Sequence, residues 1–218
     1  MSSTPVTAAA RRTRLTAEAR REVIERAATE VFAERGYRSA SMDEIATRSG
    51  VSVPVLYDHF RSKRDLHRRL LERHFADLRV VWGESLSGDG PPEQRMYNAL
   101  DSWFAYVQAH PYAWRMLFAD ASGDPDVEAI HRDVAAQSRA ALLPLLAREP
   151  GAETVASSGG QEALEMVWEI LRGVLQGLAL WWYEHQHVRR EQVVATAMNA
   201  LWIGFDRARL GESFKGSA

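Results

Sequence analysis

The sequence predicts an all-α protein, long enough to make one long or two small domains. Two observations carry that prediction. Apolar residues recur at three- and four-residue spacing along nearly the whole chain, and no run alternates as a half-buried strand would. Helix breakers then cluster at a few places (Gly36, Gly50, 87–92, 110–111, 122–125 and 150–160) and divide the chain into helix-length pieces. An irregular basic arm is expected over 1–15.

The arm is rich in Ser, Thr and Ala and carries Arg11, Arg12 and Arg14. Such a segment can follow phosphates or enter a minor groove, and can equally be a solvated tail. Thr16 caps the first helix, Glu18 sits in its first turn, and Val23, Ile24, Ala27, Ala28, Val31 and Phe32 form its buried stripe until Gly36 ends it. Ser41 and Glu44 fit a capping box opening the second helix, with Ile45 and Ala46 as its apolar face. Gly50 stands where a helix end needs positive φ, and Val51 plugs the turn. Ser52 is the next N-cap candidate, and Pro54 falls where a missing N–H costs little. Leu56 and Phe60, four apart, face inward.

The outer face of that third helix presents Ser52, Val53, Pro54, Val55, Tyr57 and His59 beside Arg61, Lys63 and Arg64. A short helix of this kind suits a DNA major groove, its first residues at base edges and its flanks at phosphates. The same spacing also serves helix-turn-helices used only for packing. Ser52, Val53, Pro54 and Val55 would meet base edges, but the valines can only touch a thymine methyl, so direct readout looks poor. Ser41, Met42 and Arg48 could reach the backbone or a base from the second helix.

These residues also carry a resemblance. The run AxxxGVSxxxLYxHFxSKxxL, here Ala46, Gly50, Val51, Ser52, Leu56, Tyr57, His59, Phe60, Ser62, Lys63 and Leu66, resembles the signature of the tetracycline-repressor (TetR) family of transcriptional regulators. The upstream AxxxFAERGYxxxSMDEIA, Ala28 to Ala46, is similar to that family's first two helices. The resemblance covers roughly the first third of the chain. It implies a homodimer that binds operator DNA, most often as a repressor, with a small N-terminal three-helix domain over 16–62 built on the helix-turn-helix and a larger C-terminal helical domain over 63–218 for ligand binding and dimerisation. It also implies phosphate contacts for Tyr57, His59 and Lys63, whose phenol, imidazole and ammonium can all donate to a phosphate oxygen.

A longer helix starting near Lys63 and running to about Ser85 carries Leu66, Leu70, Phe75, Leu78 and Trp82, and would join the two domains as a lever. Further helices are expected over 93–109 (Met96, Tyr97, Leu100, Trp103, Phe104, Val107), after His110-Pro111 (Tyr112, Trp114, Leu117, Phe118) and over 126–147 (Ile130, Val134, Ala141, with Gln137 on the same face). Pro144 should kink or end the last of these. After a loop over 150–160, a helix over 161–185 shows two apolar stripes. The larger, Leu164 to Trp182, suits the chain's own core. The smaller includes Ile170, Gly173, Val174, Gly177 and Trp181, and suits a second helix brought close. The final helix, 190–210, offers Met198, Trp202 and Phe205. By the resemblance, these two helices would form a four-helix bundle with their symmetry mates.

Composition narrows the function classes. Over 1–75 there are 15 basic against 10 acidic residues, and over 76–218 there are 12 against 19. A basic front on an acidic body suits one end meeting a polyanion. Cysteine is absent, so disulfides and thiolate metal sites are excluded, in keeping with a reducing, cytoplasmic setting. No apolar run suits a signal or a bilayer span, so no membrane partner is expected. The histidines lack metal-ligand spacing, no catalytic constellation stands out, and no cofactor or metal is expected. Trp82, Trp103, Phe104, Trp114, Phe118, Gln137 and Trp168 are candidates to line a pocket for a small, largely apolar or aromatic effector. The competing explanations are plain aromatic core, a small all-α enzyme or carrier with an incidental helix-turn-helix, and an architectural DNA-binding protein without a ligand.

Overall fold

A computed structural model of the chain describes residues 16–118, 124–149 and 151–212, and among these every regular element is helical. The expected basic arm, with Arg11, Arg12 and Arg14, lies outside the described residues.

The first three helices are α1 (Ala17–Ser39), α2 (Met42–Ser49) and α3 (Val53–His59). Thr16 caps α1 by accepting from the Ala19 N–H at 3.1 Å, and Ser41 caps α2 by accepting from the Glu44 N–H at 3.1 Å. Gly36 does not end α1: at φ 72° it breaks the helix, which resumes for a further turn to Ser39. Gly50, φ 70° and ψ 21°, closes α2 by donating to the Ala46 and Thr47 carbonyls. The turn folds as the sequence requires because Ile45, Ala46, Leu56 and Phe60 lose all or nearly all solvent contact against Ile24, Ala28 and Phe32 of α1.

The helices that follow are α4 (Lys63–Leu86), α5 (Pro92–Ala109), α6 (Pro111–Phe118), α7 (Pro125–Leu146), α8 (Ala152–Glu184) and α9 (Arg190–Arg209). Ser62 caps α4 by accepting from the Asp65 N–H at 3.0 Å. α4 is the axis of the molecule: it packs on α1 at its start and on α5, α6 and α7 further along, while α8 and α9 pack together at the far end. One hydrophobic core runs from Ile24 in α1 through Leu66, Leu70 and Phe75 of α4 to Trp103, Trp182 and Val194.

Two expectations about elements need correction. The stretch 150–160 is not all loop: α8 begins at Ala152 and is interrupted at Gly159 and Gly160, the latter at φ 63°. Gln137 faces solvent, and its neighbour Ser138 takes the buried position. Asp124 caps α7 by accepting from the Asp126 and Val127 N–H groups, and the helix buries Val127, Ile130, Val134, Ser138 and Leu142.

Candidate nucleic-acid interface and internal cavity

On the helix-turn-helix, Ser41, Thr47, Arg48, Ser52, Pro54, Tyr57 and Asp58 are exposed, and Val53, Val55 and His59 are half-buried. Tyr57 stands out with 49% of its surface accessible. Ser52 occupies the N-cap position of α3 without a side-chain cap bond, which leaves its hydroxyl available at the helix N-terminus. Arg48 donates to Glu34 at 2.8 Å and lies within 4 Å of Glu30 and Glu44. The Glu34 hydrogen bond is the largest influence raising its pKa. Thr47 and Asp58 belong to this surface although the apolar pattern did not single them out.

Met42 and Lys63 depart from expectation. Met42 is buried beneath α2 and belongs to the core. Lys63 turns inward, its ammonium donating to the carbonyls of Tyr37 at 2.8 Å, Ala40 at 3.0 Å and Arg38 at 3.3 Å, over the Tyr37 ring at 4.5 Å. Those three bonds use all three ammonium protons, so none remains for a phosphate in this conformation. Partial burial lowers its pKa. The side chain therefore ties the start of α4 to the end of α1.

Other links fix the two domains together. His74 of α4 lies between Thr29 Oγ1 of α1 at 3.3 Å and the Tyr106 hydroxyl of α5 at 3.2 Å. Glu25 pairs with Arg21 and Arg73, and Arg64 pairs with Asp126 at the start of α7. Deeper in, the His67 ring is fully buried against Phe32, Tyr37 and His131, with centroids 4.8, 5.0 and 5.5 Å away, and neither of its nitrogens has a hydrogen-bond partner. Burial holds the pKa of His67 down to about 3 and that of His74 to about 4.

Above this junction, α4, α5, α6, α7 and α8 line a half-open cavity of about 650 Å³. Phe75, Leu78, Trp82, Trp103, Phe118 and Trp168 supply its apolar walls, and His131 lies on its wall as well as against His67. Phe104 and Trp114, expected here, lie in the core instead, edge to face with Trp182 and Tyr183 respectively. Gln137 is absent from the lining.

The sequence reading missed the cavity's charge. Arg79, Arg132 and Arg139 line it and, among the described residues, form no ion pair or hydrogen bond. Arg172 pairs with Glu169 at 2.5 Å, and Glu128 adds one carboxylate. The signal was legible: Arg132, Ala135, Ala136 and Arg139 share one helical face, small residues making room between two cations. The chemical sum is an apolar chamber with a surplus of positive charge.

On the outer side of α8, Ile170 is 60% exposed and Trp181 45%, with Val174 between them. Gly173 and Gly177 have open space where a Cβ would stand. On α9, Ile203 is 64% exposed, Met198 packs partly against the core, and Trp202 and Phe205 line a second, smaller cavity. No group of three metal-ligating side chains occurs among the described residues, and no described helix is long and apolar enough to cross a membrane.

Comparisons with known proteins bear on the family and the fold. The family model described as bacterial regulatory proteins, tetR family, matches residues 24–70. The chain is 36% identical over 141 residues to the HTH-type transcriptional activator FasR of Mycolicibacterium smegmatis, a stretch spanning 64% of this chain and 64% of that relative. A TetR-like transcriptional regulator from Rhodococcus sp. RHA1 superposes with a TM-score of 0.71 at 23% identity, covering 88% of this chain and 99% of that one. The transcriptional regulator FadR of Bacillus subtilis, solved in complex with stearoyl-CoA, superposes with a TM-score of 0.66 at 16% identity, covering 88% and 99%. At these identities the two structures speak for the fold.

Proposed function

Since the chain belongs to the TetR family of bacterial regulatory proteins, we propose that it is a homodimeric transcriptional regulator that leaves its operator when an amphiphilic effector occupies the C-terminal cavity. The effector has a long apolar chain and an anionic head, as in an acyl-CoA. One observation carries this reading: a cavity of about 650 Å³ walled by aromatics and bordered by three unpaired guanidiniums opens against the same helix, α4, that runs down to the helix-turn-helix. Apolar walls attract the chain, and Arg79, Arg132 and Arg139 offer planar donors to phosphates. The stearoyl-CoA bound by the structural relative from B. subtilis supports the same ligand class.

In this account residues 16–62 form the DNA-binding domain and 63–218 the effector and dimer domain. Ser52, Pro54 and the half-buried Val53 and Val55 face base edges, while Ser41, Arg48, Tyr57 and His59 serve the backbone. Two recognition helices sit about 34–36 Å apart in the dimer, one turn of DNA. An effector that prefers a differently spaced state shifts the population and frees the operator. Release lifts repression or ends activation according to where the operator lies. The M. smegmatis relative is named as an activator.

The dimer uses the outer stripe of α8, Ile170, Gly173, Val174, Gly177 and Trp181, against its symmetry mate, with Ile203 of α9. The inward placement of Met198, Trp202 and Phe205 weighs against their sharing that contact.

Indole fluorescence tests the effector class, because Trp82, Trp103 and Trp168 line the cavity. Stearoyl-CoA should quench saturably, and a double Arg132→Gln, Arg139→Gln variant should bind it about tenfold or more weakly, by loss of charge-assisted hydrogen bonds. Binding of equal strength in that variant would remove the anionic-head assignment.

A further inference from the structure

The second cavity, about 110 Å³, lies between the end of α4 and helices α5, α7, α8 and α9. Trp82, Leu142, Trp168, Arg172 and Leu175 line both cavities, so the wall between the two is one side chain thick. Its centre is the Trp82–Trp168 pair, edge to face with centroids 5.6 Å apart. Beyond it the surfaces change character. The first cavity holds the unpaired arginines. The second is walled by Leu86, Met96, Ala99, Leu100 and Leu171, and its ionic groups are already engaged. Glu149 is gripped by Arg95 at 3.0 and 2.6 Å, and Arg209 by Asp206 at 2.7 Å. A polar head thus gains partners only in the first cavity, and hydrocarbon alone gains by passing into the second.

We propose that the second cavity receives the terminal methylenes of the effector's chain and that Trp82 and Trp168 form the partition that sets chain-length preference. The inference rests on the amphiphile reading of the first cavity. Chains that stop short of the partition leave the indoles in contact. Longer chains displace one ring and fill the space beyond, where the flexible thioether of Met96 can adapt to them. Each methylene buried is worth about fourfold in affinity. Affinity should therefore climb with length, flatten where the chain meets the partition and climb again once it is through. The flat step is the signature of the two indoles, since a single open chamber gives one continuous rise.

The test is competition binding of saturated acyl-CoAs of even length, from octanoyl- to eicosanoyl-CoA, to the full chain and two variants. Ala99→Phe fills the second cavity from α5, away from the arginines. It should abolish the second rise and cut the affinity ratio of the longest to the shorter ligands about tenfold or more. Trp168→Ala removes the partition and should erase the flat step. Circular dichroism checks folding, and Ala99→Leu carries the same prediction with a smaller loss should Ala99→Phe fail to fold. If the wild type binds the series but filling at Ala99 leaves the length profile unchanged, the chain ends in the first cavity and the inference is overturned. If the wild type binds no acyl-CoA at all, the amphiphile reading falls, and the inference falls with it.

Discussion

Lys63 shows how a residue's type can be legible while its direction is not. The sequence marks it, with Lys215, as one of two lysines in an arginine-using chain. Its position just after α3 suggests a phosphate, yet its protons go to the carbonyls of Tyr37, Arg38 and Ala40. Those carbonyls become acceptors in need of a donor only once Gly36 has broken α1, a tertiary event that local spacing does not encode. Lys63→Met should lower the stability of the helix-turn-helix by about 2 kcal/mol, the scale of hydrogen bonds to a charged group. The salt dependence of DNA binding should keep its slope. A normal melting temperature with a slope reduced by about one would return Lys63 to a phosphate. His67 and His74 give a second test at this scale. Their folded pKa values, about 3 and about 4, lie below the ordinary 6.5, so between pH 6.5 and about 4 the unfolded chain binds protons that the folded chain refuses. Stability should be fully present above pH 6.5 and fall as the pH drops, by about 1.4 kcal/mol per pH unit for each histidine. Thermal unfolding between pH 7 and 5 measures it. His67→Phe should shed about half of that slope, and an undiminished slope would locate the protons elsewhere.

At the scale of elements, caps and breakers were the legible part. Thr16, Ser41 and Gly50 each do locally what their types require, while Ser52 holds its expected N-cap position without a side-chain cap bond. What escaped was rotation about the helix axis. On α7 a change of one residue, about 100°, put Ser138 inside and Gln137 outside. On α9 the aromatic Trp202 and Phe205 turn toward the second cavity and leave Ile203 outward, because both faces of that helix are apolar enough to bury. Helix α8 is where rotation can be tested by mutation. A Cβ at Gly177 meets nothing within 4 Å, so Gly177→Leu should not lower the monomer's own stability, and leaving glycine mid-helix gains it about 0.5–1 kcal/mol. If the outer stripe is the dimer contact, the added bulk costs about 1–3 kcal/mol, and a symmetric interface takes it twice. Sedimentation alongside circular dichroism should then show a helical monomer with weak DNA binding. A well-folded dimer that still binds DNA tightly would put the contact on another face.

At the scale of the molecule, the all-helical plan followed from periodicity and breakers, its division into two domains followed only from the family resemblance, and the aromatic cluster announced an apolar interior. The cavity itself did not follow. Trp82, Trp103, Phe118 and Trp168 surround a space, whereas Phe104 and Trp114 fill one, and the distinction depends on how five helices converge. That convergence places α4 between the cavity and the recognition helix, with His131 on the cavity wall and His67 beside it in the core shared with α1. If the cavity takes an effector that weakens DNA binding, as proposed, the two ligands couple reciprocally: whatever factor the effector takes from DNA affinity, DNA takes from effector affinity. The most direct measurement selects a binding duplex from a randomised pool, then follows its fluorescence anisotropy against stearoyl-CoA and, in parallel, stearoyl-CoA affinity with and without the duplex. The account predicts a loss of DNA affinity of about 5- to 150-fold and an equal loss in the reverse direction. Stearoyl-CoA that saturates the cavity while the duplex stays bound with unchanged affinity would contradict it.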